Sequence, residues 1–401
     1  MTDKVDDVTA RTEPIGDLTY TSWSRLRRCP LQVIFKRDPS TRPLDRSKPA
    51  SALGTARHRI GEIVAAGRLA GRKQPSRDWV RQRFDQLLEE ERSRLADQWS
   101  PSVVPPVRTW PDVALSRLRA VTDLGAASGE DWGMNQLEHR GARVDTTSVA
   151  AAGTLPGQGD VLTEAVFRDE RRGLWGRIDR VENRDGTIAV IDLKSGVGVD
   201  ESDLAERHRL QMLFYAGLIN AAHKIWPVLE LHPIHGTAVA INYSAEDVEA
   251  VRAQAVHDRG QYNARARQGI DVATGVDVTP TRCSWCPFQV ACPAYCNQWT
   301  SKIGDTQWRR HRSVSLAYGV VTALKEHQAG TDVTLEQRDD LTAPAGEVIV
   351  TRLPQRLGVG LYDTLAVAQV AVAGSERVLR TQWDSRYWIG KRFDGLMRTR
   401  R

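Results

Sequence analysis

The sequence predicts an α/β protein: a mixed sheet flanked by helices, followed by a small β-rich domain. Three observations predict it. Leu174–Gly196 reads as a β-hairpin, with two Ile- and Val-rich runs flanking Asp185-Gly186, a dipeptide that tolerates the positive φ of a two-residue turn. Segments of helical periodicity stand on both sides of it, at 52–66, 201–227 and 245–269. Beyond Asn297, five short runs of strand character are joined by turns.

A chain of 401 residues can hold two to three domains of usual size and bury a substantial core. Its hydrophobic fraction of 41% and charged fraction of 26% are those of globular proteins. There is no run of about 18 apolar residues, and the first residues are acidic without an apolar core. No membrane association is expected, and the expected location is a reducing cytoplasm. The net charge of +6 is uneven: between Tyr20 and Trp110 there are 19 Lys and Arg against 9 Asp and Glu. A basic half beside an acidic remainder suits a polyanionic partner.

In chain order, residues 1–17 read as a disordered tail. Residues 18–38 carry helix-forming text that Ser22 or Ser24 can cap, divided by Pro30, with Cys29 just before it. Ala52–Ala66 is a helix bearing His58, with Arg57 and Arg59 beside it, read either as phosphate contacts or as solvated surface residues. From about 70 to 140 the chain is helix-patterned around the Pro-rich stretch 101–111, a helical insertion. Its Trp79, Trp99 and Trp110 are read as packing residues rather than base-stacking ones. Residues 141–159 are loop-like, and 160–169 are extended, with Glu164 on that strand. After the hairpin come helix 201–227, a further strand at 236–244 and a polar-faced helix at 245–269. Residues 301–401 form the small β-rich domain. Its five runs fit a small antiparallel barrel, an OB-like fold or an SH3-like one.

The hairpin carries the chemistry. If Asp185-Gly186 forms the turn, Arg184 faces Thr187 and Asp179 faces Asp192. Paired Cβ atoms lie about 5 Å apart, where like charges are destabilising. Two carboxylates so placed call for a cation. Lys194, two residues after Asp192, shares its face. The hairpin thus offers two hard oxygen ligands for Mg²⁺ or Mn²⁺ and a neighbouring ammonium group.

Gly176-Arg-Ile-Asp179-Arg followed by Ile191-Asp192-Leu-Lys194-Ser-Gly196 resembles the PD-(D/E)XK nuclease core. The resemblance is to its RecB-like branch, which includes iron–sulfur nucleases of CRISPR adaptation and bacterial recombination. It implies a restriction-endonuclease-like sheet in a nuclease domain spanning 18–300. The Gly54-x-x-x-His58 spacing resembles a helix motif of that branch, and implies His58 as the imidazole ligand joining Asp179 and Asp192 at Mg²⁺ or Mn²⁺, with the Leu193 carbonyl. Gln211-x-x-x-Tyr215 resembles a further motif, placed beside the active site. Glu164 stands where the family often has another acid.

Cys283-x-x-Cys286-x5-Cys292 gathers three thiolates within ten residues, and Cys29 can supply a fourth. In a reducing compartment this argues for metal or redox use rather than disulfides. Four thiolates suit zinc or an iron–sulfur cluster alike. The resemblance implies a [4Fe–4S] cluster on Cys29, Cys283, Cys286 and Cys292, tying segments more than 250 residues apart, with Cys296 spare. The function so implied is a metal-dependent DNA exonuclease acting on single strands or DNA ends, in repair, recombination or phage defence, with a protein partner in such a complex. Two alternatives are a non-catalytic nucleic-acid-binding subunit that keeps the cluster as scaffold, and an iron–sulfur redox or transcription sensor.

Overall fold

Asp185 (φ 50°) and Gly186 (φ 89°) both take the left-handed conformation, and the hairpin closes on them with Arg184 facing Thr187, as expected. In a computed structural model, the described residues are 9–10, 12–39, 41–45, 47–98, 104–132, 153–194, 201–233, 237–272, 275–283, 286–292, 294–295, 316–328, 330–337, 346–353, 359, 364–373 and 375–389. Trp99, Ser195, Gly196, Cys296 and the basic segment 391–401 lie outside them.

The elements run as β1 (Thr9–Ala10), β2 (Leu18–Thr19), α1 (Tyr20–Arg28), α2 (Pro30–Arg37), α3 (Pro49–Leu69), α4 (Arg77–Gln98) and α5 (Val113–Leu124). The hairpin region follows: β3 (Val161–Asp169), β4 (Leu174–Arg184) and β5 (Thr187–Lys194). Then come α6 (Glu201–His223), β6 (Val228–Pro233), β7 (Val239–Ala240), α7 (Ala245–Gln268) and β8 (Ile270–Asp271). Five strands complete the chain: β9 (Leu316–His327), β10 (Gly330–Gln337), β11 (Gly346–Leu353), β12 (Thr364–Ala373) and β13 (Ser375–Ile389).

The main sheet has the order β2-β4-β5-β6-β7, with β3 on the other edge of β4. It is mixed: β3 and β5 are antiparallel to β4, whereas β6 is parallel to β5. That parallel pair is the crossover that α6 makes possible. Ile178, Val181, Ile188 and Val190 of the hairpin pack with Leu213, Phe214 and Leu218 of α6 in one core, together with α1, α2 and α7. Gly176 lets α6 approach closely, since a Cβ there would sit 3.0 Å from both Leu218 and Tyr215 side-chain atoms.

The helical segment has a separate core. Leu53, Ala56, Ile60 and Val64, a stripe along α3, pack with Trp79, Phe84, Leu87, Trp110 and Trp132. Helix α3 therefore belongs to the helical segment through one face and carries His58 on another.

Four expectations need correction. Residues 9–10 and 12–17 are docked rather than a disordered tail: β1 pairs with β8, the buried Ile15 exchanges hydrogen bonds with Asn263, and Arg259 bonds to the Gly16 carbonyl. Residues of a distant helix supply these partners, and a local reading does not see them. Thr19, not Ser22 or Ser24, caps α1, its Oγ1 accepting from the Ser22 N–H at 3.1 Å. Among the described residues of 236–244 only Val239–Ala240 is strand, while β6 is a strand the pattern concealed between a helix and a proline. Arg57 is buried and Arg59 pairs with Glu90 and Glu91, so neither is a free phosphate donor.

The last five strands close into a barrel, β10-β11-β13-β12-β9, in which β11 and β13 are parallel and the other neighbours antiparallel. Val321, Val333, Leu335, Val350, Leu365 and Val367 fill its interior. The strand order is not that of a simple meander.

Candidate active site

The paired register of β4 and β5 runs from Arg184↔Thr187 to Arg180↔Ile191, and the next position brings Asp179 level with Asp192. On the other edge of β4, the register Thr163↔Arg180 and Ala165↔Ile178 brings Glu164 level with Asp179. Three acids thus stand in a row across three adjacent strands. Glu164 has φ 52°, a left-handed conformation that costs a non-glycine residue about 1–3 kcal/mol. The strain breaks the ladder at one residue and leaves Glu164 at the acid cluster.

His58 arrives from α3. Its Nδ1 lies 2.7 Å from Glu164 Oε1 and its Nε2 3.7 Å from Asp179 Oδ2. One ligand atom each from His58, Glu164 and Asp179 fall within 4.8 Å of one another. Asp179 Oδ2 also accepts the Leu193 N–H at 3.0 Å, which ties the two strands beside the acids. Asp192 is 1% exposed.

The other half of the site is a hydrogen-bonded network. Lys194 Nζ lies 2.6 Å from Asp192 Oδ2 and donates to Gln211 Oε1 at 3.0 Å. The Gln211 amide nitrogen donates to Asp192 Oδ1 at 3.0 Å and to the buried Tyr215 hydroxyl at 3.1 Å. Gln211 and Tyr215 are one turn apart on α6, so one helix face locks both ends of the network.

Crowding sets the electrostatics. Burial, and then the charge of Asp192, push the Asp179 carboxyl up to about 7, against the pull of His58 and the Leu193 N–H. Burial also raises Asp192, and the Lys194 ammonium opposes it. Burial disfavours the His58 imidazolium, yet the Glu164 hydrogen bond and the charges of Asp179, Glu164 and Asp192 outweigh it, so its pKa rises. Burial pushes the Tyr215 hydroxyl far up, so it stays protonated.

Sequence reasoning missed two neighbours. Glu62 is four residues after His58 on α3, and burial followed by the charge of Glu164 raises its pKa. A His-x-x-x-Glu spacing on one helix face was the available signal. His208 is buried beside Gln211, and burial followed by the Lys194 charge lowers its pKa to about 4, which keeps it neutral. Nothing in the local pattern of α6 marks it.

These acids fit a hard divalent cation. One buried carboxylate, Asp192, and two half-buried ones, Glu164 and Asp179, share a site with an imidazole and an ammonium, and the upward shift of Asp179 reflects how crowded with negative charge the cluster is. Oxygen and imidazole donors suit Mg²⁺ or Mn²⁺.

The cysteines meet elsewhere. Cys29, extended between α1 and α2, lines one cavity with Cys283, Cys286 and Cys292. Gln289 donates to the Cys283 carbonyl at 2.5 Å, and the Cys292 N–H reaches the Gln289 carbonyl at 3.2 Å. Burial pushes the Cys29 thiol up, and a bound metal would reverse that.

Among the described residues no helix is long and apolar enough to cross a membrane. A search of curated proteins found no match. The family model of the PD-(D/E)XK nuclease superfamily matches residues 17–293, which span the sheet, the acid row, α3 with His58, α6 and the cysteine cavity. A mixed sheet with two acids and a lysine across one hairpin, matched over this whole region, makes the chain a member of the PD-(D/E)XK nuclease superfamily, a superfamily of metal-dependent nucleases.

Proposed function

We propose that this chain hydrolyses phosphodiester bonds of DNA, acting on single strands or DNA ends as an exonuclease, with Mg²⁺ or Mn²⁺. The observation that carries the reading is the continuous contact from Lys194 through Asp192 and Gln211 to Tyr215, set beside the His58–Glu164–Asp179 cluster. His58, Asp179 and Asp192 would hold the cation, with Glu164 beside them and the Leu193 carbonyl as a further oxygen. Bound there, a divalent ion supplies Lewis acidity toward a phosphodiester oxygen and toward a water molecule.

The chain's own groups do the rest. Gln211 fixes the Lys194 ammonium at 3.0 Å, so the ammonium is preorganised where negative charge develops on the scissile phosphate. Asp192 balances that ammonium at 2.6 Å and would otherwise be a costly buried charge. Tyr215 keeps its proton and holds the Gln211 amide in one orientation. None of these groups reads a base, which supports cleavage with little sequence preference.

The four cysteines around one cavity support a [4Fe–4S] cluster acting as a clamp between the α1–α2 junction and the segment after α7. In this reading, residues 18–300 are the nuclease domain, α4 and α5 belong to its insertion, and the barrel is an OB-like module. Repair, recombination and phage defence, in a complex with a protein partner, all suit this chemistry.

Purified protein with Mn²⁺ on end-labelled single- and double-stranded DNA tests the reading, with Lys194→Ala beside the unaltered chain. The unaltered chain should shorten the label progressively, and Lys194→Ala should be at least about 10²-fold slower. Equal cleavage by both would overturn it. Visible charge-transfer absorbance with bound iron and sulfide would support the cluster, and stoichiometric zinc would overturn it.

A further inference from the structure

Two clefts in the nuclease core are lined with arginines, and their arginines differ. In the larger, between the β3–β4 turn and the end of α6, three of the four arginines are already taken: Arg172 by Glu249, Arg252 by Asp169 and Arg168 by Asp17. In the smaller, a cavity of about 360 Å³ between α1 and α6, they are free: among the described residues Arg27, Arg28 and Arg207 are exposed and in no ion pair. Tyr20, Trp23, Ser24 and Leu210 complete the lining with Glu206, the one acid in it.

The smaller cavity adjoins the active site through short connections. Arg207 precedes Gln211 by four residues, one turn and about 6 Å along α6. The Tyr20 hydroxyl donates to the Arg207 carbonyl at 2.5 Å, which joins α1 to that turn. Burial holds the Tyr20 pKa up at about 12; Arg207 and Arg27 pull it down, and Asp192 pushes it up, so the cavity and the acid row share one field. Trp23 is 1% exposed and covered by Arg27 at 5.3 Å, so this lining presents donors for phosphate and no bare aromatic face for a base.

We propose that Arg27, Arg28 and Arg207 form a backbone-phosphate subsite that grips the substrate strand next to the scissile bond. The inference rests on the nuclease reading for the identity of its ligand, a single nucleic-acid strand held through its phosphates irrespective of sequence. Three unpaired guanidinium groups against one carboxylate leave a net positive cavity beside an acid row that would otherwise repel the same strand.

The test is fluorescence anisotropy of a labelled single-stranded oligonucleotide in EDTA at several salt concentrations, paired with Mn²⁺-dependent cleavage of the same oligonucleotide. The double variant Arg27→Ala/Arg207→Ala should bind about tenfold more weakly. The slope of log Kd against log salt should shrink by about 1.4, two phosphate contacts at 0.7 each. Arg27→Lys/Arg207→Lys should restore most of that slope, because charge rather than packing carries it. Arg172→Ala, in the paired cleft, should leave affinity and slope unchanged. An alanine double variant with unaltered affinity and slope overturns the subsite. Normal binding by the unaltered chain with no cleavage at any Mn²⁺ concentration would fail the nuclease reading and leave the subsite standing.

Discussion

The acid row and the cysteine cavity are both sites where like groups are forced together, but they are assembled in opposite ways. Asp179, Asp192 and Lys194 come from one hairpin of 21 residues, and strand register alone brings them together. Cys29 meets Cys283, Cys286 and Cys292 only because α1, α2 and the segment after α7 pack on one core. The first site is set by pairing and survives as long as the sheet does. In the proposed cluster reading the second ties distant segments together, so its loss would be felt as stability before it is felt as chemistry.

Breaking each site should therefore give different signatures. The largest effect is expected at Asp192→Asn, where cleavage with Mn²⁺ should fall about 10³-fold or more, since a ligand and the partner of Lys194 are lost together. Circular dichroism should show the fold retained. Cys29→Ala should instead act on stability. In the cluster reading, a cross-link closing a loop of this length is worth about 5–6 kcal/mol, a fall in Tm of roughly 10–15 °C for a domain of this size. Specific activity of the surviving folded fraction should change far less.

How much of this was legible follows the same division. The turn at Asp185-Gly186, the facing of Asp179 and Asp192, and the helix bearing Gln211 and Tyr215 are readable because each follows from a period of two or of four. His58 was readable only through its spacing from Gly54. That α3 is seated by the core of α4 and α5, through Leu53, Ala56 and Ile60, is a tertiary fact with no local signal. The docking of residues 9–10 and 12–17 onto β8 and α7 was illegible for the same reason, as was the buried His208. Glu164 was named from its strand, but its left-handed backbone could not be, since nothing in Leu-Thr-Glu-Ala announces strain.

A subtler change sharpens the account of charge crowding. Glu164→Gln removes the carboxylate charge that helps Asp179 and Asp192 outweigh burial at His58. The His58 pKa, followed by its imidazole NMR signals, should drop below its value in the unaltered chain. An unchanged value would mean that Asp179 and Asp192 alone hold the imidazolium.

The smallest expected effect is a pH slope. In the metal-free chain the folded pKa of Asp179, about 7, lies above the ordinary carboxylate value. Between the two the folded state keeps a proton that the unfolded state has lost. Its contribution to stability is therefore lost as pH rises from about 4 toward 7. Metal-free Tm should show this decline, and Asp179→Asn should flatten it.

Mn²⁺ binding followed by electron paramagnetic resonance tests the central claim most directly. The unaltered chain should bind Mn²⁺ saturably and more tightly as pH rises through 7, and Asp179→Asn and His58→Ala should each lose that binding. Equal Mn²⁺ affinity in all three proteins would contradict the assignment of this cluster as the metal centre.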